Sequence, residues 1–266
     1  MPYFLRGGIR FHYQDVGVGP PLVLSHAIGR DIAQIQRYVG TPPRFRVVCW
    51  DARAHGLTDP VGPLEQLSFA AFADDLTALL DHLGIEKAIM GGISMGAATS
   101  MAVCSRWPSR VRAAILIRSA WLAEPFPASL RSIELIGRLL SQGPASQARK
   151  QFLESEEYRT LRRASAQAAD QILSEFDHPS AVERAPRFVR ITASAPIDDW
   201  QQLETCNMPS LVVACANDPF HPLEVSRTWV RHLPNARLAM VSSPIENPDQ
   251  HICQLRQTIS EFLSTL

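Results

Sequence analysis

Short, unbroken apolar runs alternate with longer stretches whose apolar residues recur every three or four positions along the first half of this chain. Leu22-Val-Leu, Arg46 to Asp51, Lys87 to Met90 and Val111 to Ile117 read as short strands bordered by polar or glycine-rich segments. Between them, Ser68 to Leu83 places Phe69, Phe72, Ala73, Leu76, Leu79, Leu80 and Leu83 at helical spacing, with Gly84 as a C-cap. Met95 to Trp107 predicts a further helix, stopped by Pro108. Ahead of these, Phe4-Leu-Arg, Gly7-Gly8 and Ile9 to Tyr13 predict a β-hairpin that ends at Pro20-Pro21. Strands alternating with helices predict an α/β fold with a parallel sheet covered on both faces.

The alternation stops from about Arg118 to Glu204. Here the chain is helical in composition over Leu130 to Leu140, Ala148 to Leu153, Tyr158 to Phe176 and Ala181 to Ala193, with breaks at Pro125, Pro127, Gly143-Pro144, Pro179, Pro186 and Pro196. Its charges are mixed in sign, as solvated helix faces require. The alternation then resumes with a strand at Ser210 to Cys215, a helix at Leu223 to Leu233, a strand at Arg237 to Val241 and a final helix carrying Ile252, Leu255, Ile259, Phe262 and Leu263 on one face. The expected organisation is one core, built from residues 1–117 and 205–266, with residues 118–204 inserted as a helical cap.

Composition narrows the function classes. Of 266 residues, 46% are hydrophobic and 20% charged, and the formal net charge is zero, which gives no electrostatic footprint for nucleic acid. No apolar run is long enough to span a bilayer, and Met1-Pro-Tyr-Phe-Leu-Arg does not read as a signal peptide. Cys49, Cys104, Cys206, Cys215 and Cys253 lack metal-ligand spacing, and an odd number of mostly buried-looking thiols fits a reducing compartment, with cytoplasm the expectation. No metal or organic cofactor is implied.

The chemistry gathers at Gly92-Ile93-Ser94-Met95-Gly96, a G-x-S-x-G between an expected strand and an expected helix. In that setting the pattern forms a nucleophile elbow: the serine sits on a strained turn, and the positions two before and two after it must be tiny for strand and helix to close around it. The Met95 N–H, at the helix N-terminus, then points at any oxyanion formed on Ser94.

Together with Gly92 to Gly96, the segments Leu22-Val-Leu-Ser-His-Ala-Ile-Gly, Arg46 to Asp59 and Ala216-Asn-Asp-Pro carry a resemblance to the α/β-hydrolase fold, and within it to the 3-oxoadipate enol-lactonase and carboxylesterase group. The resemblance covers everything outside the cap and implies a nucleophile, acid and base in the chain order Ser, Asp, His. Asp218, just past the expected strand ending at Cys215, takes the place of the acid. His251 is the one histidine of eight that follows the last strand, which makes it the expected base. The family sets its base after a glycine and before a Glu/Asn-Pro pair. Here Glu246-Asn247-Pro248 comes first and His251 falls at the first turn of the last helix, implying a shortened loop. The second oxyanion donor would be the Ile28 N–H, while His26 and His55 occupy loop-structuring positions.

These residues imply acyl transfer on a small ester or lactone, with Ser94 as nucleophile and no membrane or nucleic-acid partner. Arg118 and Trp121, leaving the strand after the nucleophile helix, are candidate pocket residues: Arg118 for a substrate carboxylate, Trp121 for an acyl wall. Cap packing and a solvated hinge are the alternatives for this pair. Two other functions share the constellation: a cofactor-free haloperoxidase, perhydrolase or C–C bond hydrolase, and a non-catalytic ligand receptor. An aspartate nucleophile is excluded by serine at position 94.

Overall fold

The computed structural model describes residues 2–266. Eight strands form one sheet: β1 (Tyr3–Arg6), β2 (Ile9–Val16), β3 (Pro21–Ser25), β4 (Arg46–Trp50), β5 (Ala88–Ile93), β6 (Val111–Ile117), β7 (Ser210–Cys215) and β8 (Ala236–Val241). Their spatial order is β1-β2-β4-β3-β5-β6-β7-β8. The β1–β2 hairpin joins antiparallel, and all pairings from β4 to β8 are parallel. The chain runs from β3 outward to β4, then returns to β5 on the other side of β3. That reversal opens a crevice beyond the C-terminal ends of β3 and β5, where open α/β sheets bind ligands.

Side chains alternate across the sheet. Leu22, Leu24, Ile89, Ile115, Leu211 and Val213 face one buried cluster, closed by Ile32 and Ile35 of α1 (Ile32–Tyr38) and by Leu255, Ile259 and Phe262 of α10 (Pro248–Leu263). Val23, Met90, Ala114, Leu116 and Val212 face the other, under α2 (Phe69–His82) and α3 (Met95–Arg106). Both faces are dry, as a parallel sheet needs.

Between Ile117 and Ser210 lie α4 (Arg131–Leu140), α5 (Ala145–Leu153), α6 (Glu156–Ala164), α7 (Ala166–Ile172) and α8 (Pro186–Thr192), with no strand. Ile136, Phe152, Phe188 and Ile191 from this segment belong to the same buried cluster as Phe69, Phe72 and Leu76 of α2. The helices α9 (Leu223–His232) and α10 follow β7 and β8.

Several boundaries differ from the sequence reading. The strand expected at Lys87 to Met90 continues through Gly91 and Gly92 to Ile93. A Cβ on Gly92 would collide with Gly96 and the Ser25 carbonyl, so this stretch of β5 holds glycine because α3 and β3 press on it. The helix expected over Tyr158 to Phe176 is broken at Ser165, whose extended backbone lets its side chain accept the Ala168 N–H and start α7. The helix expected at Ala181 to Ala193 begins only at Pro186, a residue suited to the first helical turn. Helix α1 was not expected; Asp31 caps it by accepting the Ala33 N–H.

Candidate active site

Ser94 stands between β5 and α3 with φ 55° and ψ −107°, a conformation L-residues rarely hold. Its N–H donates to the Ile117 carbonyl at 2.9 Å, and its own carbonyl accepts the Ala98 N–H at 3.1 Å, so one residue ends the strand and opens the helix. The elbow is closed by Gly96: a Cβ there would run into the Ser25 carbonyl oxygen at the end of β3. No side chain caps α3, which leaves the Met95 end of the helix for an anion.

The second strand-end loop, after β3, is set by its own hydrogen bonds. The Arg30 N–H donates to the Ala27 carbonyl at 3.1 Å in a turn that places Ile28 at the cavity wall. Ala27 N–H donates to Gln34 Oε1 at 2.8 Å. His26 is fully occupied beneath it, with Nδ1 2.8 Å from the Ala27 carbonyl and Nε2 accepting the Ala52 N–H at 3.1 Å. Burial pushes its pKa down, so His26 is a neutral structural imidazole. His55 packs against it at 4.9 Å between ring centroids, its Nδ1 2.7 Å from the Arg53 carbonyl. Loop structuring, the role the resemblance implied for both, agrees with these contacts.

Ser94 opens onto a cavity of about 550 Å³. Ile28, Ile93, Leu130, Ile133 and Phe220 supply apolar wall, and Arg30, Arg37, Gln34 and Glu175 supply polar wall. The volume suits a small molecule. Glu175, contributed by the segment between β6 and β7, is buried and ion-paired to Arg30 at 3.1 Å and Arg187 at 3.6 Å. Burial pushes its carboxyl up against the pull of those two guanidiniums. Gly29 lies under it, and a Cβ at Gly29 would meet both carboxylate oxygens. Nothing in the sequence singled out Glu175, because its contacts depend on how the helical segment folds over Gly29.

Asp218 follows β7 and is buried, but its partners are not those expected. Its carboxylate accepts the Arg118 Nε–H at 2.7 Å, the Phe220 N–H at 3.2 Å, and His221 Nδ1 at 3.0 Å to each oxygen. Burial alone would raise this carboxyl; His221 and the Arg118 guanidinium hold it well below the usual carboxylate range instead. Burial pushes His221 itself below the ordinary imidazole value, and its Nδ1, facing both oxygens of a carboxylate, donates its proton to Asp218. His221 and Arg118 line the same cavity as Ser94.

His251 makes no hydrogen bond to Asp218. It lies in the first turn of α10, fully buried, with Nδ1 2.7 Å from the Ser242 carbonyl and 3.7 Å from Cys215 Sγ. Its Nε2 is sealed from solvent with no hydrogen-bond partner, and its ring meets Tyr38 edge-on at 5.5 Å. The reason is helical phase. His251, Leu255 and Ile259 recur at four-residue spacing and form the buried stripe of α10, so the imidazole turns inward against the ends of β7 and β8 and Tyr38.

The two pocket candidates separate. Arg118, at φ 50°, donates its backbone N–H to the Val213 carbonyl at 2.8 Å and spends Nε on Asp218 while lining the cavity. Trp121 walls no part of that cavity. It is 1% exposed, packs edge-on against Phe69 at 5.1 Å, and accepts the Trp229 Nε1–H on its carbonyl at 3.0 Å. Core packing is its role. Among the described residues no cluster of His, Cys, Asp and Glu is arranged to hold a metal ion, and no helix is long and apolar enough to cross a membrane.

Comparison with known proteins places the fold. The chain is 26% identical over 246 residues to 3-oxoadipate enol-lactonase 2 of Acinetobacter baylyi, covering 87% of this chain and 84% of that one. Among solved structures, the enol-lactonase of Burkholderia xenovorans LB400 superposes with a TM-score of 0.74 at 23% identity, over 99% of this chain and all of the other. A thermophilic esterase from Thermogutta terrifontis gives a TM-score of 0.70 at 22% identity, over 98% and 97%. The family model for the alpha/beta hydrolase fold matches residues 20–243, from the start of β3 to beyond β8. With most of its length matched, the chain belongs to the α/β hydrolase fold family.

Proposed function

We propose that this protein is a serine hydrolase that cleaves a small carboxylic ester or lactone through an acyl-enzyme on Ser94. The observation that carries the reading is Ser94 itself, strained at φ 55° between β5 and α3 and opening on a cavity sized for a small molecule. A serine hydroxyl is a weak nucleophile, and the surroundings supply what it lacks. The α3 N-terminus at Met95 and the Ile28 loop flank the position where an oxyanion would form. Asp218 is an ionised carboxylate that orients a neutral histidine. Residues 118–204 form the cap and give Leu130, Ile133 and Glu175 to the cavity, so substrate choice resides there. The relatives named as enol-lactonase and esterase agree with a carbonyl carbon as the point of attack.

Release of nitrophenol from short-chain p-nitrophenyl esters tests the reading directly. Turnover by the wild type, loss of about 10⁴-fold or more in a folded Ser94→Ala variant, and a single phosphonate adduct on Ser94 by intact mass are expected. Wild-type rates in Ser94→Ala would remove the serine from the mechanism.

A further inference from the structure

We infer that the general base of this site is His221, three residues after the acid it pairs with, and that His251 has become a packing residue of α10. The inference rests on the serine-hydrolase reading above. It assigns the base to a different strand connection from the one the family order implies.

Three observations carry it. The first is orientation. A base must present one ring nitrogen to the reacting hydroxyl while a carboxylate holds the other. His221 meets the second requirement, with Nδ1 3.0 Å from both Asp218 oxygens. The Nδ1 of His251 is instead 2.7 Å from a backbone carbonyl, that of Ser242.

The second is access. His221 lines the cavity onto which Ser94 opens, and its Nε2 is neither sealed nor engaged by the protein. The Nε2 of His251 is sealed.

The third is the route by which His221 is tied to the nucleophile. Ser94 N–H is bonded to the Ile117 carbonyl, the next residue is Arg118, Arg118 Nε holds Asp218, and Asp218 holds His221. Three adjacent strand ends, of β5, β6 and β7, are thereby locked together around one cavity. The six-residue connection Ser242 to Asn247 gives the last strand no comparable reach, because α10 begins at Pro248 and carries His251 inward with Leu255 and Ile259.

In the proposed step, His221 Nε2 accepts the Ser94 Oγ proton as Oγ bonds to the carbonyl carbon and the carbonyl π pair moves to oxygen. Collapse expels the alcohol oxygen, which takes that proton. Water then attacks the acyl carbon, losing a proton to the same nitrogen, which returns it to Ser94 Oγ on release of the acid. Asp218 keeps its charge throughout and steadies the imidazolium.

The test compares His221→Ala, His221→Gln, His251→Ala and His251→Gln with the wild type and Ser94→Ala on one short-chain p-nitrophenyl ester. The glutamine at position 251 keeps a donor for the Ser242 carbonyl should alanine unfold the helix start. His221 variants are expected to lose ~10²–10⁴-fold in kcat, with added imidazole restoring part of the rate in His221→Ala. A merely structural histidine would show no such rescue. The folded His251 variant is expected to stay within a few-fold of wild type.

Wild-type turnover in His221→Ala, or a folded His251 variant as dead as Ser94→Ala, overturns the inference while leaving the serine hydrolase intact. Full activity in Ser94→Ala overturns both.

Discussion

Leaving β7, the chain turns at Asn217, whose φ of 54° swings Asp218 back over the sheet end, and Pro219 and Pro222 bracket a tight bend that returns His221 to the carboxylate. Leaving β8, it passes from Ser242 to an N-cap at Asn247, which accepts the Gln250 N–H, and enters α10 at once. Both connections hold a buried histidine with Nδ1 on an oxygen, but the oxygens differ. A carboxylate partner raises the basicity of the far nitrogen and stabilises the imidazolium that proton transfer creates, whereas a peptide carbonyl does this only weakly. Position in the chain therefore says less about a histidine's chemistry than the charge behind its ring.

The comparison breaks most visibly at Asp218. Asp218→Asn removes the charge behind His221 and lets the imidazole settle in the wrong tautomer, with an expected loss on the order of 10⁴-fold in kcat at unchanged fold. Measured again in the His221→Ala background, the same substitution should cost little more, because the two act as one unit. Additive losses on nitrophenyl ester turnover would show that Asp218 serves some other base.

A smaller effect, which either histidine would show because the Arg118 guanidinium lowers His251 as well, tests through pH whether the base lies beside Arg118. The working form of the base is neutral imidazole, and burial holds His221 below the ordinary value of 6.5 in spite of the Asp218 carboxylate, with the Arg118 guanidinium pressing the same way. Activity should therefore persist as pH falls past 6.5 and be lost only as pH drops through this lowered pKa. Arg118→Met removes that cationic neighbour, so the acidic limb of kcat/KM should move to higher pH. An unmoved limb would place the titrating base away from Arg118.

Much of the fold was legible because it rests on local pattern. The apolar runs of β3, β4 and β6 and the helical spacing of α2 are set by burial on a two-faced sheet, and G-x-S-x-G states in sequence the close approach of Gly96 to Ser25. Asp218 was legible from its place after β7. Other features hang on tertiary contact. Ser165 divides a stretch whose composition is helical throughout, and Glu175 meets Gly29 only when the helical segment is in place. The two histidines show the limit most sharply. The Asp218–His221 contact depends on a turn at Asn217 that spacing alone does not announce, whereas the four-residue interval from His251 to Leu255 and Ile259 was present in the sequence and marked a buried helix face.

The measurement closest to the central claim is the protonation of the histidine rings, read by NMR on protein with isotope-labelled histidine before and after Ser94 is phosphonylated. A covalent anionic adduct on the nucleophile draws a proton onto whichever base serves it. The account predicts that His221 gains a proton on Nε2 and keeps Nδ1–H on Asp218, with the His251 signals unchanged. Protonation of His251 with His221 unmoved would contradict it.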